Sequence, residues 1–232
     1  MEKQKYTAIV LAAGSGKRMN SKVHKQYLII QDRPVLYYSL KEFEDSAVDE
    51  IVLVVGKGEE EFCRREIVDK YGISKVKAIV EGGKERYHSV FEGLKQTSDA
   101  DYVLIHDGAR PFVNQDIIRR CMQEVQKYQA CVVGMPVKDT IKIADEEGYA
   151  KQTPDRKNVW MIQTPQTFSY ALIYEVYEEM LKTEDTAITD DAMVLERIKG
   201  KKSKLIEGSY RNIKITTPED LLIANVYLQH PE

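Results

Sequence analysis

The sequence is poor in the residues that build metal cages and disulfide frameworks: 232 residues contain three cysteines and four histidines. Cys63, Cys121 and Cys131 form no C-x-x-C pair and are odd in number, so a reduced, cytoplasmic protein is expected. His24, His88, His106 and His230 show neither H-x-x-x-H nor H-E-x-x-H spacing, which removes the usual zinc patterns. No apolar run approaches the roughly 20 residues of a membrane span. The early run AIVLAA is short and meets a glycine turn and charge, so it reads as a first strand rather than a signal peptide. Positive charge is not in excess either: 34 Lys and Arg against 37 Asp and Glu give −3, and nothing in that balance points to nucleic acid. Any anion must be met by local clusters of cations and backbone N–H groups.

What is present is an ordinary globular composition, 43% hydrophobic and 31% charged, in a chain long enough for one domain over residues 1–232. Short apolar runs alternate with longer amphipathic ones. Ala8–Ala13, Ile51–Val55, Val76–Val80, Tyr102–Ile105 and Cys131–Val137 read as strands, and their unbroken apolarity suits burial on both faces. Pro34–Glu44, Glu59–Lys70, Glu85–Gln96 and Asn114–Tyr128 read as helices between them. This order predicts an α/β fold: a Rossmann-like, mostly parallel sheet flanked by helices, with ligands at the carboxyl ends of the strands.

The alternation stops after Val137. KDTIKIADEEGYAKQTPDRKNVW has two alternating halves around DEEG and predicts a protruding hairpin over 138–159. It has too little apolar surface to stand alone. Either it lies on its own domain or it is an arm that packs against a second copy. Beyond it, Tyr170–Lys182, Asp190–Ile198 and Pro218–Leu228 read as helices, and Lys204–Ile206 and Asn212–Thr216 as short strands.

The first strand runs directly into LAAGSGKRMNSKVHKQYL, residues 11–28. A dinucleotide fingerprint needs a third glycine where Met19 stands, which disfavours a dehydrogenase. A Walker loop needs glycine at Leu11 and Ser or Thr at Arg18. What remains is small residues from Ala12 to Gly16, whose backbone can approach an anion, beside Arg18 and Lys25, which can hold phosphate oxygens. HDGARPF (residues 106–112) follows another strand, so Asp107 can hold a metal ion or accept from substrate hydroxyls, and Arg110 adds a donor fork. EGGKER repeats the pattern of strand, paired glycines and helix start, and Gly82–Gly83 let a flat base lie on backbone. PVKDT, QTPQTF and NIKITTPEDL each put polar groups after a strand-like segment. Lys214 alternates with Ile213 and Ile215 and so faces away from the apolar core.

In that order, LAAGSGKRM…KQYL, GG-x-ER-x-x-SV, HDGARPF, PVKDT, TPQTF, ITD and NIKIT resemble the 2-C-methyl-D-erythritol 4-phosphate cytidylyltransferase family over residues 6 to 228. The resemblance implies a homodimer with interlocked arms, CTP and a sugar-alcohol phosphate as substrates, Mg²⁺ as cofactor, and no nucleic-acid or membrane partner. It implies that Arg18 and Lys25 stabilise the transition state. Ala12, Ala13, Gly14, Ser15, Gly16, Gly82, Gly83 and Ser89 then form the CTP pocket. Asp107, Arg110, Thr140, Arg156, Thr164, Thr189 and Lys214 lie on the acceptor side, with Arg156 and Lys214 holding the incoming phosphate and Thr140 and Arg156 reaching across the dimer. Ribitol-5-phosphate cytidylyltransferases share the glycine loop, TPQ and NIK segments; Gly108–Ala109 and PVKDT are closer to the methylerythritol enzymes. A non-catalytic nucleotide sensor on the same fold is the alternative from another class. His24 stands where the family often has proline, a departure that keeps Lys25 in place but removes a source of rigidity from the loop.

Overall fold

Side chains along the first strand, β1 (Tyr6–Ala12), go alternately to opposite faces: Ala8, Val10 and Ala12 join one buried cluster, and Ile9 joins another. The computed structural model describes residues 3–14, Gly16, Met19, 23–97, 99–183 and 188–230. After β1 come a small hairpin of β2 (Ile29–Ile30) and β3 (Arg33–Pro34), then α1 (Val35–Glu44) and β4 (Glu50–Val55). Next are α2 (Glu60–Cys63) with a π-helical continuation (Arg64–Asp69), β5 (Val76–Glu81), α3 (Arg86–Leu94), β6 (Tyr102–Asp107), α4 (Gln115–Tyr128) and β7 (Ala130–Pro136). The arm carries β8 (Ile143–Ala144) and β9 (Ala150–Gln152). The chain returns through β10 (Trp160–Ser169), α5 (Tyr170–Met180), α6 (Asp191–Lys199), β11 (Lys204–Glu207) and α7 (Pro218–Gln229).

Seven strands form one sheet in the order β11-β7-β10-β6-β1-β4-β5, parallel throughout except for β10. Period-two patterning sends Ile51, Leu53 and Val55 of β4 to the same side as Ala8 and Val10, where α1, α2 and α4 cover them with Leu36, Leu40, Phe43, Cys63, Ile117 and Cys121. Val52 and Val54 face the opposite cluster, which α3, α5 and α6 close with Val90, Leu94, Ile173, Val176 and Leu195. The expected α/β sheet flanked by helices is therefore present. The chain leaves β1 for β4 on one side and crosses from β5 to β6 on the other, so the crevice above β1 and β6 is a topological switch point. Among the described residues no helix is long and apolar enough to cross a membrane.

The other expected strands and helices occur with ends shifted by one or two residues, but two segments differ. Residues 212–216 are irregular rather than a strand. Beside local bonds from Asn212 N–H to Ser209 O and Ile213 N–H to Arg211 O, they are tied to a distant segment by Ile215 N–H to Ala109 O at 2.8 Å. The buried Asn212 amide adds bonds to Thr164 O at 2.9 Å and Gln163 Oε1 at 3.3 Å. TPQTF lies inside the ten-residue β10, in the middle of the sheet. Pro165 argues against a central strand, and the chain accommodates it in a bulge: pairing with β7 slips between Ile162 and Gln166, leaving residues 163–165 out of that ladder. The Thr164–Pro165 peptide is cis. The arm turns where DEEG predicts, with Asp145 Oδ1 accepting from Glu147 N–H and Tyr149 N–H and Gly148 at φ 88°.

Candidate active site

The site is built around Asp107, the last residue of β6. Lys214 Nζ donates to its Oδ2 at 2.7 Å, Arg86 Nε reaches Oδ1 at 3.4 Å, and Arg110 Nε stands 3.8 Å from Oδ2. Burial alone would raise the Asp107 carboxyl, but the charges of Arg86, Lys214 and Arg110 outweigh it and hold it well below the usual carboxylate range. Arg86 opens α3 and is itself fixed by the first residue of α6: Nη1 and Nη2 donate to the two oxygens of buried Asp191, both at 2.8 Å. Burial would lower the guanidinium, yet the charges of Asp191 and Asp107 raise it further above its ordinary value. Gln166 Oε1 in turn accepts from Asp191 N–H and Ala192 N–H at 3.0 Å each.

A second, neutral network holds the same corner from behind. His106 is fully buried, and burial lowers its pKa to about 4, so the ring is uncharged at neutral pH. Its Nε2 lies 3.2 Å from Arg110 O, which can only accept; Nε2 is therefore the protonated nitrogen and Nδ1 the acceptor. Thr164 Oγ1 then donates to Nδ1 at 3.0 Å while accepting from Asp107 N–H at 3.1 Å. Two carbonyls of the HDGARPF loop, Gly108 O and Arg110 O, also receive Ser39 Oγ–H. Asp107 and Arg110 are thus held through their backbone as well as their charges.

Two clefts meet at this ion cluster. The larger, of about 390 Å³, is lined by Ala12, Ala13, Gly14, Lys25, Gly83, Ser89, Asp107 and Lys214, together with Gln26 and Arg86. The smaller, of about 230 Å³, contains Asp107, Arg110, Thr164, Thr189 and Lys214, together with Arg86 and Gln166. Arg86, Asp107 and Lys214 belong to both. Across the two linings the cations Lys25, Lys84, Arg86, Arg110 and Lys214 outnumber the carboxylates Glu85, Asp107 and Asp190, which suits an anionic ligand. Gly82 lies behind the larger cleft: a Cβ there would stand 2.5 Å from Ala13 Cβ and 2.7 Å from Ser89 Oγ, so only glycine lets β5 exit against β1.

Most of the sequence-derived residues come together, for reasons the sequence did not always supply. Lys214 reaches the cluster although its segment is not a strand; Ile215 is buried and anchors it. Gly16 packs under Lys25, with φ 63° and a would-be Cβ 3.3 Å from Lys25 Cβ. Thr140 and Arg156 are exposed on the arm and line neither cleft; Arg156 Nη1 donates to Lys138 O. Ser15 and Arg18 lie outside the described residues. Arg86, Gln166 and Asp191 were not singled out, although Arg86 stands in the GG-x-ER motif and Asp191 directly follows ITD. Among the described residues no three Asp, Glu, His or Cys side chains gather to hold a metal ion. Asp107, already ringed by three cations, does not fit a protein-held cation site.

The family model described as IspD, 2-C-methyl-D-erythritol 4-phosphate cytidylyltransferase, matches residues 6–230. A protein of that name from Lachnospira eligens is 53% identical over 225 residues, covering 96% of this chain and 99% of its own. Its namesake from Lachnoclostridium phytofermentans is 50% identical over 226 residues, 97% of each chain. Among solved structures, 4-diphosphocytidyl-2C-methyl-D-erythritol synthase from Anaerococcus prevotii matches with TM-score 0.86 and 38% identity, covering 98% of this chain and 97% of that one. With the match running nearly end to end, this chain belongs to the 2-C-methyl-D-erythritol 4-phosphate cytidylyltransferase family.

Proposed function

We propose that the two adjoining clefts are the nucleotide and acceptor halves of one active site. There the chain joins CTP and 2-C-methyl-D-erythritol 4-phosphate to give 4-diphosphocytidyl-2-C-methyl-D-erythritol and pyrophosphate, in the non-mevalonate route to isoprenoid precursors. The observation that carries this reading is the sharing of Arg86, Asp107 and Lys214 between the clefts, which puts two anionic ligands against one set of charges.

An acceptor phosphate oxygen attacks the α-phosphorus of CTP, a new P–O bond forms, and the bond to the bridging oxygen breaks with its electron pair leaving on pyrophosphate. A phosphate monoester carries roughly −1.5 to −2 charges at neutral pH, so the nucleophile is already ionised and needs no general base. The barrier lies in bringing two anions together, which positioning and fixed charge can lower. In this reading the triphosphate rests on the backbone of residues 12–16. The base lies along Gly82–Gly83 and Ser89, and Arg18 and Lys25 meet the charge that grows at the α-phosphate. Asp107, kept ionised, accepts from acceptor hydroxyls. Lys214, Arg110, Thr164 and Thr189 surround the acceptor. Magnesium, expected from the resemblance, would enter on the triphosphate oxygens of CTP and add neutralisation there.

The arm completes the reading. Ile143 and Tyr149 are exposed on it, and Met161 and Ile162 are exposed at its root, an apolar set that a second copy in a homodimer would cover. Thr140 and Arg156 would then belong to the partner's acceptor cleft, in a cytoplasmic enzyme. Two assays test this. Pyrophosphate release is measured with CTP and either methylerythritol phosphate or ribitol 5-phosphate: faster release with the first is expected, the reverse names the other transferase, and none with either leaves a nucleotide sensor. Arg156→Ala and Lys25→Ala chains are then mixed. One site of two is rebuilt in each mixed dimer, so activity returns to about a quarter of wild type if the arm crosses over. No recovery places Arg156 and Lys25 in the same site of one chain.

A further inference from the structure

Glu59 lies outside both clefts, at the N-terminal end of α2, yet its carboxylate is tied to the turn that bears Lys25. Oε2 accepts from Tyr27 Oη–H at 2.7 Å and from Gly56 N–H at 3.0 Å. Oε1 stands 2.8 Å from His24 Nδ1, in ion-pair range without hydrogen-bond alignment. Between those two attachments lies one 3₁₀ turn, Lys25–Tyr27, closed by Tyr27 N–H to His24 O at 2.9 Å. Gln26, buried, donates its amide to Ala12 O at the end of β1. Gln26 and Tyr27 are therefore hydrogen-bonded to the sheet edge and to Glu59, His24 packs against the same carboxylate, and Lys25 lines the larger cleft with Gln26. Burial pushes the Tyr27 hydroxyl far above its ordinary range, so it remains a donor. The carboxylate also fills the space beside Gly56: a Cβ at that position would stand 2.6 Å from Oε2.

We infer that Glu59 is a positioning residue for the transfer reaction, a carboxylate that never touches substrate and holds both ends of the turn carrying Lys25. The reason lies in the lysine. Its ammonium sits on a flexible four-carbon stem, and its effect on growing charge depends on where the stem begins. A misplacement of about 1 Å at a reacting centre can cost on the order of 10²-fold in rate. His24 has φ −61°, a value that proline would fix covalently; here Glu59 Oε1 packs against the ring at the same entry to the turn. The inference rests on the proposed role of Lys25 and is tested so that the two fail differently.

The experiment measures kcat and the KM for CTP in Glu59→Ala, Glu59→Gln, Gly56→Ala, Lys25→Ala and the Lys25→Ala/Glu59→Ala double variant. Glu59→Ala is expected to lower kcat about 10- to 100-fold while the KM for CTP moves less than about threefold. Glu59→Gln keeps an acceptor for Tyr27 and Gly56 and should retain most of the turnover. Gly56→Ala displaces the carboxylate without removing it and should lower kcat in the same sense. In the Lys25→Ala background, Glu59→Ala should cost no more than about a further twofold, because the group it positions has gone. Losses that multiply in the double variant overturn the positioning role and leave Lys25 untouched. Full turnover in Lys25→Ala overturns the role of Lys25 and the inference with it. Should Glu59→Ala fail to fold, Tyr27→Phe and Gly56→Ala carry the comparison, and unchanged kcat in both overturns the inference.

Discussion

Strand β10 starts at the root of the arm and ends in the core, and its two halves invert the usual pattern of burial. Met161 and Ile162, both apolar, are 46% and 38% exposed, whereas Gln163 and Gln166, both polar amides, are 7% and 1% exposed. Each buried amide has its partners inside the chain: Gln163 donates to Ser209 O and accepts from Asn212, while Gln166 bonds Asp190, Asp191 and Ala192. Burying such groups unpaired would cost roughly 2–7 kcal/mol apiece, so their burial marks a network closed within one chain. The exposed half shows the reverse. Its apolar side chains, like Ile143 and Tyr149 on the arm, stay partly open among the described residues, and Ile162 also lines the rim of the smaller cleft. The cleft half is tied to other parts of the same chain, and the arm half leaves apolar surface that the proposed second copy would cover.

The strongest way to break this contrast is to remove a charge from each half. Asp191→Ala takes the bidentate partner from the Arg86 guanidinium, which is 28% exposed and keeps Asp107. It should lower the unfolding free energy by about 3 kcal/mol, the low end for a broken buried pair, read from the midpoint of urea unfolding. Arg156→Ala on the arm, where the exposed side chain donates to the carbonyl of Lys138 at 3.1 Å, should change that midpoint by less than the equivalent of about 0.5 kcal/mol. Equal losses in the two variants would erase the distinction. Next in size is Lys214→Ala, which deletes a cation shared by both clefts. Turnover should fall about 10²- to 10³-fold, by analogy with other donors aimed at developing charge. A KM effect alone would reduce Lys214 to ground-state binding.

The same contrast explains what could be read from the sequence. Strands such as IVLVV in β4 announced themselves because both faces are buried, and helix starts such as Asn114 and Asp190 cap as their residue types require, accepting from Ile117 N–H and Met193 N–H. Local chemistry was enough there. β10 was hidden because Pro165 and three polar residues occupy its centre, and only partners far along the chain, such as Asn212, make that burial possible. Residues 212–216 were misread for the complementary reason: Ile213 and Ile215 alternate like a strand but pack under α7 without a ladder. Lys214 arrived at the site through the wrong secondary structure. Arg86 and Asp191 lay in motifs already noticed, but their pairing spans the chain and leaves no local trace.

His106 sharpens the buried side of the comparison further. Its pKa falls from 6.5 to about 4 because burial penalises the charged ring. The unfolded chain therefore takes up the proton first as pH drops, and the stability from the neutral ring, complete above pH 6.5, is lost as pH falls toward 4. The shift corresponds to about 3 kcal/mol over that window. Urea midpoints at both ends of the window, compared with those of His106→Asn, isolate this contribution from the carboxylates that titrate nearby. An equally steep acid loss in the variant would mean that the ring is not the group responsible.

The smallest expected effects belong to the arm, and they decide whether its missing cover is a second chain. Two short strands closed by a turn do not bury enough surface to be stable alone, and Tyr149 is 70% exposed and Ile143 45% exposed. If a partner covers them, each contributes on the order of 1.5–3 kcal/mol to association when fully buried. Tyr149→Ser and Ile143→Ser should then each raise the dimer dissociation constant by about 10- to 100-fold, measured by sedimentation across a concentration series. Their unfolding midpoints at low concentration should stay near that of the dissociated parent, because neither side chain touches the core. Turnover provides the link back to the cleft: if Arg156 serves the partner's site as proposed, activity must fall along the same concentration curve as the dimer. A variant that dissociates and keeps full turnover would show that the cleft half of β10 works without the arm half, and that the inverted burial of the strand reflects assembly alone.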